Sequence, residues 1–231
     1  MNQPRLIIYD LDGTLVDSVP DIAVALDRAL RRQGYSSVDS QAVRGWIGNG
    51  ARKLIERAIA SQGEVSEAKV ESLLAAFLDE YSQALCEHST IYPGVIECLE
   101  TCAANGCAQA VITNKPADLA VGLLERLGLA RYFTGLLGGD SLPEKKPHPA
   151  PLEWMMREHG VTPPQTLMVG DSAADLDAAR AAGVDSVAVT YGYNRLPADS
   201  DIAAELKKLG ARRTFDSLAD LPDYLERRMT A

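Results

Sequence analysis

The sequence predicts an α/β protein, with a doubly wound parallel sheet and an inserted all-helical domain. From Tyr92 onward, strand patterns alternate with helical patterns, which is typical of a parallel sheet covered by helices on both faces. Residues 18–88 carry only helical patterns, and this block is too long for a single crossover helix between neighbouring strands. We therefore expect a core domain of residues 1–17 and 89–231, and a helical cap domain of residues 18–88.

The first strand is predicted at residues 6–9, an apolar run that leads directly into Asp10, Asp12 and Gly13. Residues i and i+2 of a strand share one face, so Asp10 and Asp12 project together where the strand ends. Two neighbouring carboxylates repel each other, and a shared hard cation such as Mg²⁺ removes that penalty. Gly13 allows a sharp exit that brings backbone N–H groups near the acids. The alternative is an ordinary strand-end turn, in which Asp and Gly are common.

The helical block begins near Ser18, which is suited to an N-cap, with Pro20 and Asp21 in the first turn. Glycines separate its helical patterns. The four predicted helices cover residues 21–33, 40–46, 51–61 and 67–85.

In the core, ligands of a doubly wound sheet bind beyond the carboxyl ends of the strands. Polar residues that directly follow a predicted strand are therefore candidates for a site. Further strands are predicted at 108–113, 135–137, 166–169, 186–189 and near 213–215, and further helices at 95–104, 117–127, 151–159 and 173–182.

Thr113 and Asn114 follow the strand at 108–113. A threonine hydroxyl and the free N–H groups of the turn suit a phosphoryl oxygen. The same pair is also a good strand terminator and helix cap, so it indicates little by itself.

Lys146 precedes two prolines that constrain the backbone around His148 and fix the direction in which the lysine leaves. A lysine held in this way is a point charge for an anionic group. The alternative is a solvated basic loop, and we interpret His148 as structural or peripheral.

Asp171 and Asp175 lie four residues apart at a predicted helix start, which places them on one face. They either complement the helix dipole or complete the oxygen shell of a cation held by Asp10 and Asp12. Asp177 lies off that face and is interpreted as a surface charge.

Composition limits the classes of partner. A net charge of −9 and a pI near 4.9 argue against nucleic acid or an anionic membrane. No stretch approaches the roughly 18 consecutive apolar residues of a membrane span, and the start of the chain has no signal-peptide layout. The four cysteines form no C-x-x-C pair. We expect a cytoplasmic protein with reduced thiols.

Taken as a set, these segments resemble the four motifs of the haloacid dehalogenase superfamily, in order and spacing, over nearly the whole chain. The helical block resembles the C1 cap of that family. The resemblance implies a Rossmann-like core with the first strand at its centre, and Mg²⁺ as cofactor. The segments are Asp10-Leu11-Asp12-Gly13-Thr14, Thr113-Asn114, Lys146-Pro147 and Gly170-Asp171-Ser172-Ala173-Ala174-Asp175.

The resemblance also implies roles for the acids. Asp10 is the nucleophile that forms a phospho-aspartyl intermediate, and it is also a metal ligand. Asp12 is the general acid and then the base, and its backbone carbonyl faces Mg²⁺. Asp171 ligates the ion and Asp175 supports that shell.

By the same resemblance, Thr113 and the N–H of Asn114 hold phosphoryl oxygens, and Lys146 offsets charge on the nucleophile and the phosphoryl group. An aspartate at position 12 separates phosphatases from dehalogenases, because a departing halide needs no proton.

Residues 45–54 are similar to the substrate-specificity loop of the phosphoglycolate phosphatase group. Gly48, Asn49 and Gly50 precede a helix and offer N–H groups to an anion, and Arg52 is suited to pair with a small carboxylate. The alternative is that the glycines only turn the chain and that Arg52 is solvated.

The expected function is Mg²⁺-dependent hydrolysis of a small phosphate monoester, 2-phosphoglycolate first. We expect a monomer or homodimer whose partner is, by the resemblance, a small phosphorylated metabolite. The alternatives are a pyrophosphatase, a sugar-phosphate phosphatase and a mutase of the β-phosphoglucomutase type. An alternative of another class is a non-catalytic regulator that binds a phosphorylated metabolite. We further expect the cap to move about residues 15–18 and 89–94.

Overall fold

Six parallel strands form the main sheet of the computed structural model, which describes residues 4–193 and 200–230. Residues 1–3, the start of the predicted core segment, lie outside the described residues. The strands are β1 (Leu6–Tyr9), β2 (Val16–Asp17), β3 (Thr90–Ile91), β4 (Ala108–Ile112), β5 (Gly135–Leu137), β6 (Thr166–Gly170), β7 (Asp185–Val189) and β8 (Thr214–Phe215). The helices are α1 (Val19–Arg32), α2 (Ser40–Trp46), α3 (Ala51–Ala60), α4 (Glu67–Gln83), α5 (Val95–Ala104), α6 (Ala117–Arg126), α7 (Ala150–Glu158), α8 (Ala173–Ala181), α9 (Ile202–Lys208) and α10 (Leu221–Thr230).

Strand β1 lies at the centre of the sheet, whose order is β5-β4-β1-β6-β7-β8. Leu6 pairs with Ala108 on β4 and with Thr166 on β6. Both faces of the strand are covered, which explains why it is apolar throughout. Tyr9 packs into one apolar cluster and Ile8 into the other, as the two-residue period of a strand requires. The predicted doubly wound sheet, with the first strand at its centre, is confirmed.

The inserted block consists of α1 to α4, and α1 packs along α4. The buried face of α1 includes Ile22, Leu26 and Leu30, and that of α4 includes Leu73 and Phe77. Spacings of three and four residues place each set on one side of its helix. The predicted all-helical cap is confirmed, while its exact bounds of 18–88 stay a prediction.

Two short strands, β2 and β3, join the cap to the core as an antiparallel pair. We predicted only connecting segments here, because a strand of two residues carries no alternation that a sequence could show. Asp21 of α1 ties the two connections together, since its carboxylate accepts from Ser89 N at 2.7 Å and from His88 N at 2.9 Å. Cap movement about these segments stays a prediction.

Two findings bear on the other expectations from composition. None of the described helices has the length and apolar character needed to cross a membrane. The four cysteines all lie within the described residues and form no disulfide there.

Candidate active site at the carboxyl edge of the sheet

The residues that follow β1, β4 and β6 meet at the carboxyl edge of the sheet, beneath the cap. Asp10 directly follows β1, Thr113 follows β4, and Asp171 follows β6. The N–H of Asp10 donates to Val169 O at 2.9 Å, which continues the pairing of β1 with β6. Parallel strands end at one edge, so residues distant in sequence converge there.

Three buried carboxylates form a cluster at this edge. Asp10, Asp171 and Asp175 each contribute an oxygen, and these oxygens lie within 4.8 Å of one another. Asp175 is held in place by the start of α8, because its Oδ2 accepts from Ser172 Oγ at 2.7 Å and from Ser172 N at 3.1 Å. Acids that follow β1 and β6 therefore lie close together, as predicted. Asp175 both caps α8 and contributes an oxygen to the cluster.

Lys146 lies between two of these acids. Its Nζ is 2.9 Å from Asp10 Oδ1 and 2.6 Å from Asp175 Oδ1, and its side chain is 1% exposed. Burial alone would lower the pKa of Lys146, but the carboxylates of Asp10 and Asp175 outweigh it and the pKa is raised. The lysine is therefore charged at this position.

When all three carboxylates are ionised, they carry two more negative charges than the Lys146 ammonium balances. Burial raises the pKa of Asp10 to about 7, against the lowering effect of Lys146, and burial together with Asp175 raises that of Asp171. A divalent cation supplies the missing positive charge, and carboxylate oxygens are the ligands that Mg²⁺ prefers. The donor set therefore fits a magnesium ion.

Asp171 is enclosed by groups from two loops. Thr14 Oγ1 donates to its Oδ1 at 3.1 Å, and the backbone N–H of Tyr193 donates to its Oδ2 at 2.7 Å. Gly13 has φ +91°, and a Cβ there would lie 2.6 Å from Asp171 Oδ2. A side chain at position 13 is therefore excluded both by the backbone conformation and by the space that the carboxylate needs.

The carboxylate of Asp12 lies outside the acid cluster. Lys115 Nζ is 2.9 Å from its Oδ1, and Ser18 Oγ donates to the same oxygen at 2.5 Å. Ser18 occupies the N-cap position of α1, but its side chain makes no cap bond there. The prediction of Ser18 at the N-cap is therefore confirmed, although its hydroxyl donates to Asp12 and does not cap a helix N–H. The contact of the Asp12 backbone carbonyl with Mg²⁺ stays a prediction.

Three residues of the site were missed from the sequence: Lys115, Tyr81 and Tyr193. Lys115 Nζ is 2.7 Å from the hydroxyl of Tyr81, which comes from α4 of the cap. The hydroxyl of Tyr193 accepts from Ser18 N at 2.7 Å, where the cap begins. The sequence position of Lys115 and Tyr193 could have identified them, since both lie a few residues beyond the carboxyl end of a strand.

A cleft of about 490 Å³ lies between the core and the cap. Its core side is polar, and its cap side is mostly apolar. The lining residues from the core include Asp10, Asp12, Thr113, Asn114 and Lys115, and those from the cap include Ile22, Ile47, Gly48, Gly50, Leu54, Phe77 and Tyr81.

The loop that precedes α3 contacts the core through Asn114. Asn114 Nδ2 donates to Gly48 O at 3.0 Å and to Lys146 O at 2.9 Å. Gly50 has φ +89°, and a Cβ there would lie 3.1 Å from Asn114 O. Gly48 and Gly50 thus line the cleft, and their contact with substrate stays a prediction. Asn49 does not line it, because its Oδ1 accepts from Arg57 at 2.9 Å and the residue faces a neighbouring cleft.

The structure does not bring Arg52 to the cleft. Its guanidinium pairs with Glu71 at 2.9 Å and with Glu67, both on α4 at the cap surface. These acidic partners hold the arginine away from the site that the sequence suggested for it.

Two other expectations hold: His148 is exposed beside Ala150, and Asp177 pairs with Arg180 at the surface.

Comparisons with known proteins agree with this geometry. Residues 7–189 match the family model for haloacid dehalogenase-like hydrolases. The chain is 43% identical to a phosphoglycolate phosphatase of Pseudomonas putida, covering 98% of this chain and 88% of that protein. It is 40% identical to one of Colwellia psychrerythraea, covering 98% and 99% of the two chains.

Among solved structures, the chain resembles one from Haemophilus somnus described as a predicted phosphoglycolate phosphatase. The TM-score is 0.88 at 38% identity, and the match covers 100% of each chain. The family model, the relatives and the fold agree with the four motifs at the carboxyl edge of the sheet. This chain therefore belongs to the haloacid dehalogenase-like hydrolases and is an enzyme of the phosphatase type.

Proposed function

We propose that the enzyme hydrolyses 2-phosphoglycolate to glycolate and phosphate, with Mg²⁺ as cofactor and a phospho-aspartyl intermediate on Asp10. The observation that carries the mechanism is the buried cluster of Asp10, Asp171 and Asp175 around Lys146. The choice of substrate is supported by the two phosphoglycolate phosphatases to which the chain is similar.

Asp10 is held as a nucleophile by contacts to one of its oxygens. Its Oδ1 accepts from Leu11 N at 2.7 Å and lies 2.9 Å from Lys146 Nζ, which leaves Oδ2 to attack phosphorus. The attack forms the bond from Oδ2 to phosphorus and breaks the bond from phosphorus to the glycolate oxygen. Water then attacks the same phosphorus, which releases phosphate and restores the carboxylate.

The charge of the transferring phosphoryl group is balanced by fixed donors. Lys146 supplies one positive charge, and Thr113 Oγ1, which accepts from Lys115 N at 3.2 Å, keeps its hydroxyl hydrogen to donate. Asp10 and Asp171, supported by Asp175, would hold Mg²⁺. The ion, when bound, neutralises phosphoryl oxygens and so supplies electrostatic stabilisation.

Asp12 moves the proton. In the first step it protonates the departing glycolate oxygen, and in the second it takes a proton from the attacking water. Ser18 and Lys115 hold its carboxylate at the junction of core and cap, beside the cleft and apart from the acid cluster.

The cap wall favours a compact leaving group. Ile22, Ile47, Leu54 and Phe77 face the cleft and offer no hydrogen bonds to the hydroxyl groups of a sugar. Burying those hydroxyls without partners would cost binding free energy. The wall therefore supports a small ester over a sugar phosphate.

The test is phosphate release from a panel of 2-phosphoglycolate, pyrophosphate, glucose 6-phosphate and β-glucose 1-phosphate. The wild type with Mg²⁺ is compared with the wild type in EDTA and with Asp10→Asn. We expect 2-phosphoglycolate to exceed the others at least about tenfold in kcat/KM, with no turnover in either control. If another compound had the highest kcat/KM, it would replace 2-phosphoglycolate as the proposed substrate. Binding of 2-phosphoglycolate without turnover would replace the enzyme with a metabolite-binding regulator.

A further inference from the structure

We infer that Lys115 and Tyr81 together bind the carboxylate of the leaving group and make the enzyme selective for acidic phosphate esters. The inference rests on the proposed function and adds the residues that determine its specificity. Lys115 comes from the core, directly after the Thr113-Asn114 pair, and Tyr81 comes from α4 of the cap. A substrate carboxylate bound by both would link the two domains.

Tyr81 has a donor left to offer, and Lys115 places a positive charge beside it. Lys115 Nζ lies 2.9 and 3.2 Å from the two oxygens of Asp12 and 2.7 Å from the Tyr81 hydroxyl, so each of its three N–H groups has an acceptor. The Tyr81 oxygen accepts from the lysine, and among the described residues no acceptor takes the hydrogen of its hydroxyl. One O–H without a protein acceptor among the described residues therefore lies beside a cation, which suits a substrate carboxylate.

Both groups keep the protonation that this role requires. Burial would lower the pKa of Lys115, but Asp12 outweighs it and the pKa is raised. Burial raises the pKa of Tyr81 to about 12, so its hydroxyl keeps its hydrogen at neutral pH. The pair is one cation and one neutral donor.

The position of Lys115 matches the size of the leaving group. Lys115 contacts Asp12, and Asp12 in the proposed mechanism gives its proton to the ester oxygen. In 2-phosphoglycolate, the carboxylate carbon is two bonds from that oxygen. A cation in contact with the acid group is therefore in reach of the carboxylate, whereas a longer leaving group would carry its carboxylate past the lysine.

Of the other cations near the cleft, Lys146 and Arg52 are paired with acids. Lys145 Nζ would lie 2.9 Å from a Cβ at Gly50, but Lys145 is not among the described residues that line the cleft. Among the described residues that line the cleft, Lys115 is the one with a cationic side chain. Lys146 lies between two carboxylates below it, and Arg52 is paired at the cap surface. A buried carboxylate needs a cationic partner, so the described lining leaves this task to Lys115.

The experiment compares 2-phosphoglycolate with ethyl phosphate, whose leaving group also has two carbons but lacks the carboxylate. The ratio of the two kcat/KM values is measured for wild type, Tyr81→Phe, Lys115→Met and the control Lys53→Met, an exposed cap lysine paired with Glu56. Because a hydrogen bond to a charged group is lost, we expect the ratio to fall about tenfold in Tyr81→Phe and further in Lys115→Met. Lys53→Met should leave it unchanged.

Three outcomes would overturn the inference. If kcat/KM fell equally for both substrates, Lys115 and Tyr81 would only position Asp12. Lys115→Met alone could not exclude that role, so Tyr81→Phe is measured as well. A wild-type preference for 2-phosphoglycolate that both variants keep would overturn the inference and leave the proposed function intact. A wild type without that preference would overturn both.

Calorimetric titration with glycolate in the presence of Mg²⁺ gives a readout that does not depend on turnover. We expect glycolate to bind the wild type and Lys53→Met, and to bind Tyr81→Phe and Lys115→Met at least about tenfold more weakly. Unchanged glycolate affinity in both variants would contradict the inference even if their activity were lost.

Discussion

The excess negative charge of the acid cluster predicts that Asp10→Asn stabilises the metal-free protein. Asp10, Asp171 and Asp175 share a single buried ammonium, that of Lys146. Asparagine removes one of the three charges and keeps the shape of the side chain. Its amide oxygen can still accept from Leu11 N and from Lys146, so the contacts at Oδ1 are retained.

The size of the effect follows from the pKa of Asp10, which is raised from 3.8 to about 7, mainly by burial. A pKa raised in the folded state means that the folded protein binds more protons than the unfolded chain between these two values. The free energy of unfolding therefore falls as pH rises through this window. At about 1.36 kcal/mol for each pKa unit, ionisation of Asp10 lowers the free energy of unfolding by about 4 kcal/mol above pH 7.

The assay is thermal denaturation of wild type and Asp10→Asn in EDTA at pH 8 and at pH 5. At pH 8 the variant should melt higher by roughly 10 °C, since about 1 kcal/mol shifts the Tm of a chain of this size by 2–4 °C. At pH 5 the difference in Tm between the variant and the wild type should shrink by more than half, because wild-type Asp10 is then mostly protonated. Added Mg²⁺ should raise the Tm of the wild type more than that of the variant.

Asp177→Asn is the matched control, because Asp177 is a carboxylate paired with Arg180 at the surface. We expect its Tm to follow the wild type at both pH values. If Asp10→Asn were no more stable than the wild type at pH 8, or gained equally at both pH values, the charge argument for the cluster would be refuted.

Three further predictions concern the neighbours of the cluster. Lys146→Met leaves buried carboxylates without their cation and should lower the free energy of unfolding by about 3–5 kcal/mol in EDTA, as measured by urea denaturation. Gly13→Ala places a Cβ 2.6 Å from Asp171 Oδ2, so the Mg²⁺ concentration for half-maximal activity should rise at least about tenfold. Tyr193→Phe removes the hydroxyl that accepts from Ser18 N but keeps the backbone bond to Asp171, so urea denaturation should show a loss of about 1–3 kcal/mol while the Mg²⁺ dependence stays unchanged.

The parts of the site that the sequence predicted are those that directly follow strands. β1 is covered on both faces, so it is apolar throughout, and the acid at its end is easy to recognise. Because parallel strands end at one edge, Thr113 and Asp171 could be placed beside Asp10 without knowledge of any contact. Local pattern and one rule of topology were sufficient for these residues.

The parts that could not be predicted depend on contacts between the domains. Tyr81 reaches Lys115 only because α4 packs over the carboxyl edge, and no local pattern of α4 distinguishes this tyrosine from an ordinary core residue. Arg52 has the charge expected of a substrate contact, but its ion pairs with Glu67 and Glu71 depend on how α3 and α4 pack. The direction of a long side chain is set by partners that the sequence does not place.

The two aspartates that end β1 show how packing divides one motif into two tasks. Both leave the same strand, yet each meets a different lysine: Asp10 shares Lys146 with Asp175, whereas Asp12 has Lys115. The charge around Asp12 is balanced, so its carboxylate has no need of the ion. The charge around Asp10 is not balanced, so that side is suited to bind a cation. In the proposed mechanism, these different environments assign proton transfer to one carboxylate and nucleophilic attack to the other.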